Sequence, residues 1–458
     1  MLRTGFLRNL APLALGSSFL AGCALSPTPI DTYVESAPGF GASGVAMVSP
    51  RFWSAFDAVE LDSLVTRALR ANLDLRIADA RRREAAAFVD LEESAYWPDL
   101  VATAGATGRT GEGLDESSRY ELGFDSTVEL DLFGAIGSAV EAERLRTAAA
   151  FAAQQAVELT VAADVATTWF RLLEARSQRA LLDEQIETNQ TVLELLRRRF
   201  GSGQILGVDI LRQEQLVEAT RQRRDVEQGR VATLENALAV LLGRAPRAGF
   251  VAPHALLPAL PSVPVTGIPA DLVQRRPDVR RNWLLLRAAD RDLAASIARK
   301  APRLSLTASV STAAESPGAL FEDWIGRLAG NLVAPLFTAG ELQSAVDRDE
   351  AIRSRLLSEY TRAVLIAFRE VEDALALERV QSSQIERLIK QADLSRRSTE
   401  QLERQYLNGL ANYLDVLSAL TEQQELQRNL ITARRERLET RVALYRALAG
   451  PLTEDESP

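Results

Sequence analysis

The chain has 458 residues, a net charge of −9 and 25% charged residues. That balance speaks against a nucleic-acid partner and for an acidic surface or lumen. One cysteine and one histidine exclude an internal disulfide and any histidine–cysteine zinc set.

The first predicted element is a leader over residues 1–22. Arg3 and Arg8 flank the start of "FLRNLAPLALGSSFLAGC", whose apolar centre is short for a bilayer span but right for a secretory signal. It closes on Leu20-Ala21-Gly22-Cys23, which resembles the lipobox of bacterial lipoproteins, with cleavage before Cys23 and acylation of that residue. A retained signal anchor is the alternative. Ala24 follows, where inner-membrane lipoproteins usually resemble Cys-Asp, so the expected destination is the outer membrane. Beyond the leader no apolar stretch is long enough for a transmembrane helix. Any crossing must be made by a closed β-barrel.

After a lipidated segment (23–52), residues 53–243 are predicted to form one structural unit. "DLVATAGATGR" (99–109) is a weak strand candidate. "SRYELGFDSTVELDLFG" (118–134) is a stronger one. From Tyr120 it alternates apolar residues with Glu121, Asp125, Glu129 and Asp131, so a strand puts oil on one face and carboxylates on the other. The intervening 110–118 is polar and glycine-bearing, as an exposed loop should be. From about Ala139 to Arg199 the chain lacks proline and glycine. Leu159, Ala162, Ala166, Trp169 and Leu173 step by three and four, and so do Val231, Leu234, Leu238 and Leu241, which predicts long helices. Some 60 helical residues give a rod roughly 90 Å long, suggesting lengthwise, coiled-coil-like packing.

Residues 244–267 form a proline-rich linker. Residues 268–450 then read as a second copy of the first unit, ahead of a tail at 451–458. "FGSGQILGVDIL" (200–211) aligns with "YLNGLANYLDVL" (406–417), pairing Gly203 with Gly409 and Asp209 with Asp415. "GSAVEAER" (137–144) pairs with "QSAVDRDE" (343–350), and Asn72-Leu73-Asp74 with Arg276-Pro277-Asp278. "RLSLTASVST" (303–312) and the stripe Leu328, Leu332, Ala334, Leu336 are the second strand pair, joined by an expected loop at 313–323. A second proline- and glycine-free helix runs from about Leu342 to Asn408. A sandwich with one wet face would also fit the strand pattern. Two strands per copy are marginal alone, however, and about ten residues each suits a tilted membrane strand. Four strands per chain need several chains to close a barrel, with the oily face on lipid and the acidic face on water.

Several motifs carry a family resemblance: "FWSAFDAVELDSLVTRALRANLDL" (52–75), "VELDLFG" (128–134), "PADLVQRRPDVR" (269–280), "APLFTAGEL" (334–342), "FREVEDAL" (368–375) and "YLNGLANYLDVLSA" (406–419). The chain resembles the TolC-like outer-membrane factors, in particular the NodT-type lipoprotein channels of resistance–nodulation–division (RND) efflux pumps. The resemblance implies a mainly α fold with a small β component, and a homotrimer. Its outer-membrane β-barrel, four strands per chain, would continue as a long periplasmic α-helical barrel. The implied partners are a periplasmic adaptor (membrane fusion protein), an RND-type inner-membrane pump and outer-membrane lipid. It also implies a periplasmic gate at Asp209 and Asp415 with Tyr406 and Leu414, and adaptor docking at the hairpin tips Gly203 and Gly409; Glu121, Asp125, Glu129 and Asp131, spread along the acidic strand face, read as the lumen lining. Ala411 and Ser418 stand where some relatives carry a gate arginine and a second aspartate, so an arginine–aspartate lock is not expected. Helix N-caps are the competing reading of Asp209 and Asp415.

No catalytic site, cofactor or metal is expected. His254 lies alone in the linker, and the strand carboxylates are spread too far for a calcium cluster. The competing functions are an outer-membrane exit duct for type I protein secretion, and a structural envelope lipoprotein without a pore.

Overall fold

The computed structural model describes residues 39–44, 49–109, 117–246 and 256–452. The leader, Cys23, most of the 110–118 loop, His254 and the last six residues lie outside them. Eight α-helices and four strands follow one order twice. The first half runs α1 (Val59–Ala71), α2 (Leu73–Glu93), β1 (Val101–Arg109), β2 (Ser117–Leu130), α3 (Ala135–Gly201) and α4 (Gly207–Leu241). The second runs α5 (Pro269–Arg275), α6 (Pro277–Ala298), β3 (Arg303–Ala314), β4 (Ile325–Val333), α7 (Glu341–Leu407) and α8 (Tyr413–Leu448). α3 and α7 each have 67 residues, about 100 Å of helix at 1.5 Å per residue. No described helix is apolar enough to cross a membrane.

The chain divides into two compact units, and each draws on both halves. One contains the strands, the end of α2, most of α6 and the first turns of α3 and α7. Its sheet is antiparallel in the order β1-β2-β3-β4. Pairing across all three ladders is in continuous register, for example Ala102↔Phe124, Phe124↔Val310 and Val310↔Gly326. Directly paired residues share a face, so the alternation of β2 propagates across the sheet. At Gly123 a side chain would meet Thr103 Oγ1 at 2.9 Å and Ser311 Cβ at 3.3 Å, so glycine eases the close approach of β1, β2 and β3 there.

Three expectations about strand ends are corrected. β2 stops at Leu130, and Asp131 lies beyond it although the alternation continues. Its carboxylate accepts the N–H groups of Gly137 at 2.7 Å and Ile136 at 3.2 Å, capping the start of α3. β4 stops at Val333, so Ala334 and Leu336 fall outside the stripe assigned to them; Pro335 has no N–H to extend the ladder. Within 313–323, Ala313 and Ala314 still belong to β3, and Pro317–Phe321 form a 3-10 helix.

The other unit contains the α1 region, the bodies and ends of α3, α4, α7 and α8, α5 and the start of α6. Its main core packs Phe52, Trp53, Phe56, Leu61 and Val65 with Trp169, Phe170, Leu173, Leu238 and Tyr445. The periodic residues Leu159, Ala162, Ala166, Trp169 and Leu173 are all buried. A second core holds Leu272, Val279, Val364, Ala367 and Val371. The residues at the ends of α1 and α5, paired in the sequence, hold their junctions by different means. Asn72 donates to the Leu241 carbonyl at 3.0 Å, and its Oδ1 accepts from Asp74 N–H at 2.8 Å to cap α2. Arg276 instead bridges Asp278 at 2.7 Å and Glu370 at 2.8 Å.

Candidate functional site

Two places carry the residues singled out by sequence. In the sheet, one face bears Ala102, Ala104, Leu122, Phe124, Val128, Leu130, Leu304, Leu306, Val310, Leu328 and Leu332. The opposite face bears Thr103, Arg119, Glu121, Asp125, Thr127, Glu129, Arg303, Thr307 and Arg327. Phe124 is 49% exposed and Leu328 79%, so the oily face is left uncovered by the described residues. A soluble protein would cover such a face. Opposite it, Glu121 pairs with Arg119, and Thr127 and Thr307 hydroxyls meet at 3.3 Å. Asp125 and Arg327 lie in one lateral row through Ser309. The sheet thus brings Glu121, Asp125 and Glu129 onto one polar face and leaves Asp131 out.

The second place is where the hairpins α3–α4 and α7–α8 turn. Both long helices end in the same way. Gly203 (φ +73°) and Gly409 (φ +74°) take left-handed backbone. Their N–H groups donate to the carbonyls of Phe200 and Tyr406 at 2.9 and 3.1 Å, and the next residues, Gln204 and Leu410, reach back to Arg199 and Gln405. These paired bonds satisfy the last helical carbonyls, and glycine pays no Cβ penalty in that conformation. Nothing surrounds either glycine within 4 Å of an added Cβ.

Asp209 and Asp415 lie in the first turns of α4 and α8. Among the described residues, no backbone N–H reaches either carboxylate. The cap of α8 is Asn412, whose Oδ1 accepts the N–H of Asp415 at 3.0 Å. Asp209 is mostly buried and faces Arg212 at 3.6 Å; Asp415 is exposed and has no ion-pair partner among the described residues. Leu414 is exposed. Tyr406 is half-buried beside Tyr413, ring centroids 5.7 Å apart, within a small cluster of Leu196, Tyr413, Val416, Ile205 and Leu402. The Tyr413 hydroxyl donates to Gln213 Oε1, and burial pushes its pKa well above the usual phenol range.

Sequence reasoning missed a buried polar seam that runs back from this cluster. Gln213 donates to the Asn189 carbonyl at 2.7 Å. Asn189 meets Gln424, Gln185 meets Gln427 at 3.0 Å and Arg428 at 2.7 Å, and Gln178 donates to the Arg428 carbonyl at 2.8 Å. The seam ends on buried Glu174, held by Arg230 at 2.7 Å, Arg435 at 3.1 Å and the Thr432 hydroxyl at 2.8 Å. The available signal was spacing: Glu174, Gln178, Gln185 and Asn189 share the three- and four-residue steps of Leu182, Leu193 and Leu196.

Among the described residues, no group of three or more histidine, cysteine or acidic side chains could hold a metal ion. A sheet with one bare apolar face marks a surface that a membrane or a partner covers. The sequence matches the family described as outer membrane efflux protein over residues 64–244 and 268–450, and the chain belongs to that family. It is 29% identical to the pyoverdine export outer membrane protein OpmQ of Pseudomonas aeruginosa, with 94% of each chain covered. Among solved structures it is similar to the outer-membrane channel OprN, with TM-score 0.86, 26% identity, and 93% of this chain and 99% of that one covered. It is also similar to the open state of the Neisseria gonorrhoeae MtrE outer membrane channel, with TM-score 0.84, 25% identity, and 95% and 100% covered. The family and these neighbours are channels rather than enzymes.

Proposed function

We propose that this chain forms the outer-membrane channel of a tripartite efflux system, passing small molecules from an RND-type inner-membrane pump and a periplasmic adaptor to the outside. The observation that carries it is the sheet: four antiparallel strands with one bare apolar face, one charged face and two edge strands, β1 and β4, unpaired among the described residues. In hydrocarbon an open edge leaves backbone N–H and C=O groups unsatisfied, so such a sheet is stable only when closed by other copies. Family membership supports three copies, hence twelve strands, and two like halves per chain supply matching hairpins to a helical tunnel. Glu121, Asp125 and Glu129 then line water in the barrel. Asp209, Asp415, Tyr406 and Leu414 surround the periplasmic mouth, and the turns at Gly203 and Gly409 meet the adaptor.

Anchoring through an acylated Cys23 places the protein in the outer membrane with most of its chain in the periplasm. Cys23→Ser should abolish labelling by a radioactive fatty acid, and undiminished label would remove the lipid anchor from this picture. The channel itself is tested by reconstituting purified protein in planar bilayers. Discrete single-channel steps are expected; a folded, membrane-inserted protein without any conductance would point to a structural envelope lipoprotein instead.

A further inference from the structure

Arg199 and Tyr406 are 207 positions apart in sequence, near the ends of α3 and α7, yet the Arg199 guanidinium lies over the Tyr406 ring, 4.8 Å from its centroid. That is the geometry of a cation–π contact. It joins one hairpin to the other beside Asp209. The Arg199 Nε donates to Gln204 Oε1 at 3.2 Å, which fixes the plane of the guanidinium against the turn. On its other side Tyr406 packs against Tyr413, whose hydroxyl is tied to Gln213 on α4. All four long helices therefore meet through these side chains.

The hydroxyl of Tyr406 also lies close to Arg199. Among the described residues it is buried with no hydrogen bond of full geometry, as is Nη1 of Arg199. Burial raises the pKa of that phenol, the adjacent Arg199 opposes the rise through its charge and through hydrogen bonding, and Asp209 adds to it; the ring itself is what the guanidinium carbon lies over.

We propose that Arg199 is a positioning residue of the closed mouth: seated on the Tyr406 ring, it latches the α3–α4 hairpin to the α7–α8 hairpin within one protomer. The proposal rests on the channel reading above and deepens it. A mouth without a gate arginine at Ala411 is then held by a contact that needs a ring and a cation, and parting the hairpins must break it. A partly buried contact of this kind shifts a two-state balance roughly two- to thirtyfold.

The test uses the full chain in detergent, with spin labels on cysteines placed at the exposed positions Ser202 and Asn408, and reads the population of separated hairpins from label distances. Arg199→Gln and Tyr406→Leu should each raise that population by roughly two- to thirtyfold, and the double variant should add nothing further. Tyr406→Phe should behave as wild type, and Arg199→Lys should fall between wild type and Arg199→Gln. A Tyr406→Phe variant as separated as Tyr406→Leu would overturn the latch, since the hydroxyl would then be the working group. An Arg199→Gln variant with unchanged distances would overturn it as well. Bilayer recordings of the same variants should show a matching rise in open probability. Wild-type protein that fails to conduct would sink the channel reading, and the distance measurement would still judge the latch.

Discussion

Asn189 on α3 and Gln424 on α8 exchange two side-chain hydrogen bonds inside the helical unit, Gln424 Nε2 to Asn189 Oδ1 at 2.9 Å and Asn189 Nδ2 to Gln424 Oε1 at 3.4 Å. Both residues are buried. Apolar side chains at these positions would allow the helices to slip by a turn, whereas paired amides satisfy each other only in one register. The long α3–α8 contact therefore carries its own alignment device.

Gln424→Leu should leave Asn189 Oδ1 buried without a donor, its Nδ2 keeping only the Thr220 hydroxyl at 3.2 Å, and lower stability by about 1–3 kcal/mol. Replacing both residues by leucine should restore most of that loss, because no polar group is left unpaired. Thermal unfolding followed by circular dichroism checks this. A double variant as unstable as the single one would mean that packing, not polar pairing, governs the site.

The Arg276 cluster gives a pH dependence. Burial pushes the Asp278 carboxyl up, but hydrogen bonds and charge from Arg276, with N–H groups of Val279 and Asp278, outweigh it and hold the group below the usual aspartate range. A depressed folded-state value stabilises the fold above the unfolded value, near pH 4. The contribution is lost as pH falls through the lower folded value. Arg276→Gln should therefore unfold more readily than wild type at neutral pH, and the gap should narrow below about pH 4. Apparent unfolding midpoints measured from pH 7 down to 3 decide it, and a gap that stays constant removes the linkage.

Much of this architecture was legible because it is periodic. The alternation from Tyr120 to Leu130 marked β2, and the buried steps at Leu159, Ala162, Ala166, Trp169 and Leu173 marked α3. Periodicity failed at ends, where backbone chemistry takes over: Asp131 continues the alternation of β2, yet serves as a cap three residues before Gly134 turns the chain at φ +75°. It also failed where polar residues sit inside. Gln185 and Asn189 look like surface residues until their partners on α8, more than 200 positions away, are in place. Arg199 and Tyr406 carry no sequence signal that joins them at all.

The proposed orientation in the membrane is open to labelling. Ser117 opens β2 next to the 110–116 segment, and it is exposed; Asn408 is exposed in the α7–α8 turn. A cysteine at 117 should react with an impermeant maleimide on whole cells, and one at 408 should react only after the outer membrane is permeabilised. The reverse pattern would invert the proposed orientation.

Asp415 is exposed in the first turn of α8, has no ion-pair partner among the described residues and gives its N–H, not its carboxylate, to the local cap. A carboxylate free of capping duty is available to a cation. In the proposed ring of copies the same group would recur around the axis, and like charges held close would bind divalent cations to relieve their repulsion. Asp209 differs, because Arg212 stands 3.6 Å away and partly neutralises it. Divalent block of single-channel current from the periplasmic side should therefore weaken strongly in Asp415→Ala and less in Asp209→Ala. Salt should reduce the block in the wild type, as screening demands. If Asp415→Ala keeps wild-type block, the ring of Asp415 carboxylates is not the cation site of the mouth. If Asp209→Ala has the larger effect, the Arg212 pairing does not persist in the assembled channel.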